Sequence, residues 1–384
     1  MDYKLIQNVK VTVTDHLAQT ILSILEEKKY QKPFIVMGSF ISTVAIIRSL
    51  LEQMQKHNIE YVVYDKVVPD PPTEVVDEGA SLFNLNNCDC IIAIGGGSSI
   101  DVGRGINIVR VNGGKIMDYV DPDKEVKPCY DMIAVPTTSG TGSEMSNALI
   151  VTERNTQSKL AVLSDHAVSE YAVLNPDLAM TLPKNMTIAT GLDAFAHAAE
   201  GYTSNLSSPL TDAICEKVMY LIVKYLPRAV KDGDDREARE RMMVAAALAG
   251  WMLNNAGTHL GHSIAHIVGS KYHIPHGMAC SYALPGVLEY ISPVESKKIK
   301  EIGLILGATY PQNLTDLEIG TITAKAFRHF RDNILGTSSF SNLNISKEEL
   351  LSNAESVVLE RFAGNSPLKV DIDSASSLLE KLYV

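Results

Sequence analysis

CIIAIGGGSSID, residues 90–101, runs five apolar residues into three glycines and then into residues that can open a helix. A continuous apolar run of this length is the pattern of a strand buried on both faces, and such strands belong to parallel sheets. Glycines at its carboxyl end let a backbone approach an anion closely. The helix that follows presents unpaired N–H groups at its positive end. The segment therefore reads as strand, phosphate cradle and helix. It is not the strict dinucleotide fingerprint, because Ile100 stands where that pattern wants a third glycine. A tight turn capped by Ser98 would give the same letters.

Working outward, Phe34-Ile-Val-Met37, Tyr61-Val-Val-Tyr64 and Met132-Ile-Ala-Val135 are also strand-like, and helical patterns lie between them at 41–57, 74–87 and 99–111. That alternation predicts an α/β fold, a parallel sheet covered on both faces. Val9-Lys-Val-Thr-Val13 reads as an early strand at an edge. Leu149–Thr152 and Lys159–Leu163 flank a polar turn and read as a hairpin. Pro136-Thr-Thr-Ser-Gly-Thr-Gly-Ser-Glu144 follows another apolar run, at the strand end where open α/β sheets bind ligands. Its hydroxyls can bond phosphate and ribose, and the two loops together predict dinucleotide binding.

After Leu182-Pro183 the pattern changes. Residues 187–203, 209–229, 236–256 and 258–270 carry helical spacing, and β-branched runs vanish. The expected division is an α/β dinucleotide-binding domain at 1–183 and an all-helical, metal-binding domain at 184–384. Met242–Leu253 is shorter than the roughly 20 apolar residues of a membrane span and reads as a buried helix. The last forty or so residues, including Ser338–Asn344, read as a surface loop followed by a short helix or two.

Composition sets limits on function. The chain has 384 residues, 46% hydrophobic and 21% charged, with a formal charge of −11, which argues against nucleic-acid or anionic-membrane partners. The start lacks a basic segment followed by an apolar one, so no signal peptide is read. Five cysteines without paired zinc spacing, Cys88 and Cys90 only two apart, predict reduced thiols and a cytoplasmic location.

Six of the ten histidines fall between residues 197 and 276. Asp193 and His197 are four apart on a helical pattern, as are His262 and His266, so each pair shares a face. His276 follows at a turn. An oxygen and several imidazoles converging from different helices suit a divalent metal. Any one of these histidines alone is more often a hydrogen-bonded core residue.

GGGSSID (95–101), PTTSGTGSE (136–144), GLDAFAHAAEGY (191–202) and GHSIAHIVGSKYHIPHG (261–277) together resemble, in order and spacing, the iron-containing alcohol dehydrogenase family over most of residues 30–290. The resemblance implies that metal and cofactor occupy the cleft between the two domains. It gives Asp193, His197, His262 and His276 as metal ligands and puts His266 beside the nicotinamide as a catalytic residue. Gly96, Gly97 and Ser98 would contact phosphate, with Thr137, Thr138 and Ser143 around ribose and nicotinamide and Lys159 near the ribose. The implied metal is Fe2+, although imidazole also suits Zn2+.

Three positions depart from common family patterns. Gly38, beside Ser39, stands where many NAD-using relatives carry Asp, which removes a charge that repels a 2′-phosphate and favours NADP(H) over NAD(H). Pro71 and His273 stand where relatives often have Asn. The expected activity is metal-dependent, NAD(P)-linked interconversion of short-chain primary alcohols and aldehydes by a homodimer or larger oligomer. A polyol dehydrogenase of a sibling branch is the alternative, and a metal-dependent hydrolase, which has no use for the two loops, is a more distant one.

Overall fold

The computed structural model describes residues 3–155 and 158–383. The chain forms two compact units, one spanning Ile6–Leu182 and the other running from Pro183 onward together with residues 3–5.

The first unit holds strands β1 (Lys10–Val13), β2 (Pro33–Met37), β3 (Val62–Tyr64), β4 (Cys90–Gly95), β5 (Met132–Pro136), β6 (Ala148–Glu153), β7 (Ser158–Leu163) and β8 (Tyr171–Leu174). Six of them make a parallel sheet in the order β1-β8-β5-β4-β2-β3, while β6 and β7 pair as an antiparallel hairpin. Helices α1 (Leu17–Lys28), α2 (Ala45–Lys56), α3 (Thr73–Leu85) and α4 (Gly97–Asn112) cover the sheet. Every residue of β2, β4 and β5 is buried. Alternate side chains go to opposite faces. Phe34, Val36, Ile91 and Ala93 join one apolar cluster, and Ile35, Met37, Ile92 and Ile94 join another. That two-sided burial is why these strands read as unbroken apolar runs.

β1 is an outer strand, exposed along its length. β8, which the sequence reading did not pick out, is the short run Tyr171–Leu174 between β5 and β1. From β2 the chain goes to β3 on one side and later returns to β4 on the other, so the strand order reverses between β2 and β4. Open α/β sheets bind ligands outside the carboxyl ends of the strands at such a point.

The second unit is helical, with α5 (Lys184–Thr203), α6 (Pro209–Lys231), α7 (Arg236–Asn255), α8 (Leu260–Tyr272), α9 (His276–Ile305) and α10 (Asp316–Arg328). Ser208 caps α6 through the Thr211 N–H, and Asp235 caps α7 through the Ala238 N–H. Met242–Leu253 lies inside α7, largely buried. His273 closes α8 in the left-handed region at φ 54, a position that small polar residues and glycine favour, and Pro275 then precedes α9. Among the described residues no helix is long and apolar enough to cross a membrane.

The end of the chain is a surface loop at residues 338–344, exposed apart from one residue, and then short helices, three rather than one or two. Phe340 is buried against Tyr282 and Tyr383, and short helices at Lys347–Leu351, Ala354–Leu359 and Ile372–Glu380 follow. The polar residues around Phe340 conceal a single aromatic anchor, which composition alone does not show.

Candidate functional site

In the α/β unit the glycine loop and the hydroxyl loop lie side by side at the ends of adjacent strands β4 and β5. Gly95 has φ 149, and a Cβ there would fall 2.3 Å from Ser99 Oγ, so only glycine fits. The Thr137 N–H donates to the Gly95 carbonyl at 2.9 Å. A Cβ on Gly96 would lie 3.2 Å from Thr138 Cγ2, and one on Gly97 would lie 3.0 Å from Thr141 Cγ2 and 3.3 Å from Ser143 Oγ. Gly96 is the N-cap of α4, with no side-chain cap, and Ser98 falls within the first helical turn. The alternative of a turn capped by Ser98 is therefore not what the chain adopts. The first turn of a helix leaves N–H groups without intrahelical acceptors, an anion site in waiting.

Behind these loops lies a charged network. Arg104, fully buried, donates to the carbonyls of Ser143 and Ala148, and Asp101 Oδ2 accepts from the Ile150 N–H at 3.0 Å. Asp101 is therefore a buried clamp holding the β6–β7 hairpin to α4. Burial pushes the Asp101 carboxyl up to about 6 and that of Glu144 up to about 7, both opposed by the Arg104 charge.

Gly38, at the end of β2, bridges to Lys66, and a Cβ there would sit 3.3 Å from the Val67 carbonyl oxygen; Ser39 beside it is exposed. The Lys66 ammonium pairs with Glu78. Lys159 is held by Asp70 at 2.9 Å, and the Pro71 carbonyl accepts from the Thr152 N–H at 2.9 Å, so the segment carrying Pro71 is fastened to β6. The structure thus brings Gly96, Gly97, Thr137, Thr138 and Ser143 together, sets Gly38 and Ser39 on the next strand, and engages Lys159 with Asp70.

The helical unit gathers the histidines around one carboxylate. Asp193 Oδ1 on α5 lies 3.8 Å from His197 Nε2, 3.8 Å from His262 Nε2 on α8 and 3.5 Å from His276 Nε2 on α9. His197 and His262 stack with ring centroids 4.7 Å apart, and His266 stacks on His276 at 5.4 Å. Two glycines make this convergence possible. A Cβ on Gly261 would strike Glu200 Oε1 at 1.9 Å, and one on Gly277 would strike the Ala189 carbonyl at 1.9 Å. Bare backbone at those points lets α8 and α9 begin directly against α5.

Asp193 and His262 are each 3% exposed, yet Asp193 Oδ1 and His262 Nε2 have no hydrogen-bond partner among the described residues. Orphaned buried polar atoms are costly, so something satisfies them when the protein works. Burial pushes the Asp193 carboxyl up, but His197, His276 and His262 outweigh it and hold it below its ordinary value. Burial, with His197 adding repulsion, lowers His262 well below the ordinary range and keeps it neutral, the form that binds metals. Two donors each about 2.1 Å from one ion lie roughly 3–4 Å apart, which is the spacing found here. The residues fit a divalent metal.

Three further residues belong to this cluster and escaped the sequence reading. Glu200 is fully buried; its Oε2 accepts from the His259 N–H at 2.6 Å and lies 3.3 Å from His262 Nδ1, out of line for a hydrogen bond. Glu360 Oε1 is 3.0 Å from His266 Nδ1, while its Oε2 accepts from Ser263 Oγ at 2.7 Å and the Phe362 N–H at 2.8 Å. Burial would raise Glu360, yet His266 and these donors hold it below the ordinary carboxylate range. Cys280 lies one turn after His276, with Sγ 3.6 Å from His276 Nε2. Glu200 and Cys280 lie inside or just past the histidine motifs, where helical spacing could have flagged them. Glu360 had no local signal.

Comparison with known proteins bears on both units. Residues 9–176 match the family model described as iron-containing alcohol dehydrogenase, and residues 187–383 match the C-terminal model of the Fe-containing alcohol dehydrogenase family. The chain is 32% identical to the NAD-dependent methanol dehydrogenase of Bacillus methanolicus, covering 83% of this chain and 84% of that protein. It is 31% identical to the 1,3-propanediol dehydrogenase of Citrobacter freundii, covering 83% and 82%. The solved alcohol dehydrogenase of Oenococcus oeni superposes with a TM-score of 0.92 at 29% identity over the whole of both chains. The chain is a member of the iron-containing alcohol dehydrogenase family.

Proposed function

We propose that this alcohol oxidoreductase interconverts short-chain primary alcohols and aldehydes, using a divalent metal held by Asp193, His197, His262 and His276 and a nicotinamide cofactor held by the paired loops of the α/β unit. The observation that carries this reading is the buried, unpartnered Asp193 Oδ1 with three imidazole nitrogens 3.5–3.8 Å away. When bound, the metal, Fe2+ by family or Zn2+ by ligand type, supplies a Lewis acid for the substrate oxygen, and the nicotinamide gives or takes a hydride.

This chain's residues do the rest. The α4 N-terminus at Gly96, Gly97 and Ser98 binds the pyrophosphate, and Thr137, Thr138, Ser143 and Lys159 orient ribose and nicotinamide. Glu360 fixes the His266 ring through Nδ1, and His266 Nε2 then exchanges a proton with the substrate side. Gly38 places no carboxylate at the end of β2, which supports NADP(H) over NAD(H). Names of relatives point to small primary alcohols and diols as substrates. A cytoplasmic homo-oligomer completes the reading, with the exposed edge of β1 available for pairing between copies.

The test is cofactor oxidation by metal-stripped, then iron-reloaded protein, anaerobically, with propanal and NADPH or NADH. Iron-dependent consumption favouring NADPH is expected. Preference for NADH would overturn the Gly38 argument alone. Reloaded protein that binds neither cofactor would overturn the whole reading.

A further inference from the structure

We propose that Cys280 is itself a metal ligand, making the site a mixed nitrogen, oxygen and sulfur centre. The inference rests on the metal reading above and goes beyond its four ligands. Cys280 follows His276 by four residues on α9, so the two side chains share a face one turn apart. One ligand atom from each of Asp193, His262, His276 and Cys280 lies within 4.8 Å of all the others. The Sγ to His276 Nε2 distance of 3.6 Å fits two donors at about 2.3 and 2.1 Å from one ion with a near-tetrahedral angle. Cys280 is fully buried, Asp193 and His262 are buried beside it, and His276 is partly exposed; the unpartnered Asp193 Oδ1 and His262 Nε2 belong to the same group.

The five cysteines form no disulfide, so this thiol is chemically available to a metal. Its S–H bond breaks as the sulfur–metal bond forms, and the proton passes to solvent. A thiolate adds negative charge and a soft donor, which shifts selectivity towards Zn2+ and Co2+ and away from Mn2+. The competing role for Cys280 is hydrogen-bond donation to Asp193, a contact that joins the three stronger imidazole influences in holding that carboxyl down against burial, which raises it.

The experiment is anaerobic titration of the metal-stripped, full-length protein with Co2+. The expected result is visible ligand-field bands together with a near-ultraviolet sulfur-to-cobalt charge-transfer band. In Cys280→Ser the charge-transfer band should vanish while the visible bands remain, and in Cys215→Ser both should persist. Visible bands without charge transfer in the wild type, or charge transfer that survives in Cys280→Ser, would overturn the inference and leave the metal reading standing. No cobalt spectrum at all would overturn both. Should Cys280→Ser not fold, X-ray absorption of the zinc-loaded wild type decides, since a sulfur neighbour at about 2.3 Å is expected and its absence sinks the proposal.

Discussion

Two carboxylates stand behind imidazoles in the helical unit, Glu200 fully buried and Glu360 partly so, and the role of Glu200 can be separated from packing. Glu200 faces His262 Nδ1 while the opposite nitrogen points to Asp193. A carboxylate 3.3 Å behind a ligating imidazole raises its basicity through its charge, and swings into line as a hydrogen-bond acceptor when the ring is metal-bound; loss of such a partner costs metal affinity roughly 10–100-fold. Glu200→Gln retains an oxygen for the His259 N–H and removes a group whose carboxyl burial raises. The variant should therefore melt no lower than wild type without metal, yet bind metal roughly 10–100-fold more weakly by chelator competition. Unchanged affinity would reduce Glu200 to a helix cap. Asp193, His197 and His262 were legible because four-residue spacing on a helix is a local rule. Glu360 was not, since it meets His266 across 94 residues of chain, and no spacing rule reaches that far.

Among elements, the sheet was legible where strands are buried on both faces, as in Cys90–Gly95, and illegible where Tyr171–Leu174 offers only four residues. The packing of the two loops was half visible: glycines and hydroxyls marked the site, but the Asp101, Arg104 and Glu144 network beneath it looked like ordinary helix and loop charge. That network makes a prediction about pH. Burial raises Glu144 from 4.5 to about 7, so the folded state holds this proton more tightly than the unfolded chain does. Its contribution is fullest below the ordinary carboxylate range and is lost as pH rises towards 7. Urea midpoints should give a wild type less stable at pH 8 than at pH 5. Glu144→Gln should narrow that gap by roughly 1–3 kcal/mol, and a gap left unchanged would mean that Glu144 is ionised throughout.

At the scale of the molecule, the metal is expected to act as a cross-link within the helical unit as well as a reagent. Its proposed ligands come from α5, α8 and α9, and the glycines that bring those helices together also bring buried atoms there that lack partners. Binding to the folded state alone stabilises it by about 2.7 kcal/mol when free metal is a hundredfold above Kd. For a unit of this size that corresponds to roughly 5–10 °C in melting temperature. Stripping the metal should lower the melting transition by that amount and increase amide exchange in α5, α8 and α9, while β4 and α4 keep their protection. Restoring Zn2+ should recover both even where activity is not restored, because cross-linking needs only ligand geometry. A melting temperature and exchange pattern indifferent to metal would mean that the helices hold the ligands in place unaided, so the preorganisation comes from packing at Gly261 and Gly277 and owes nothing to the ion.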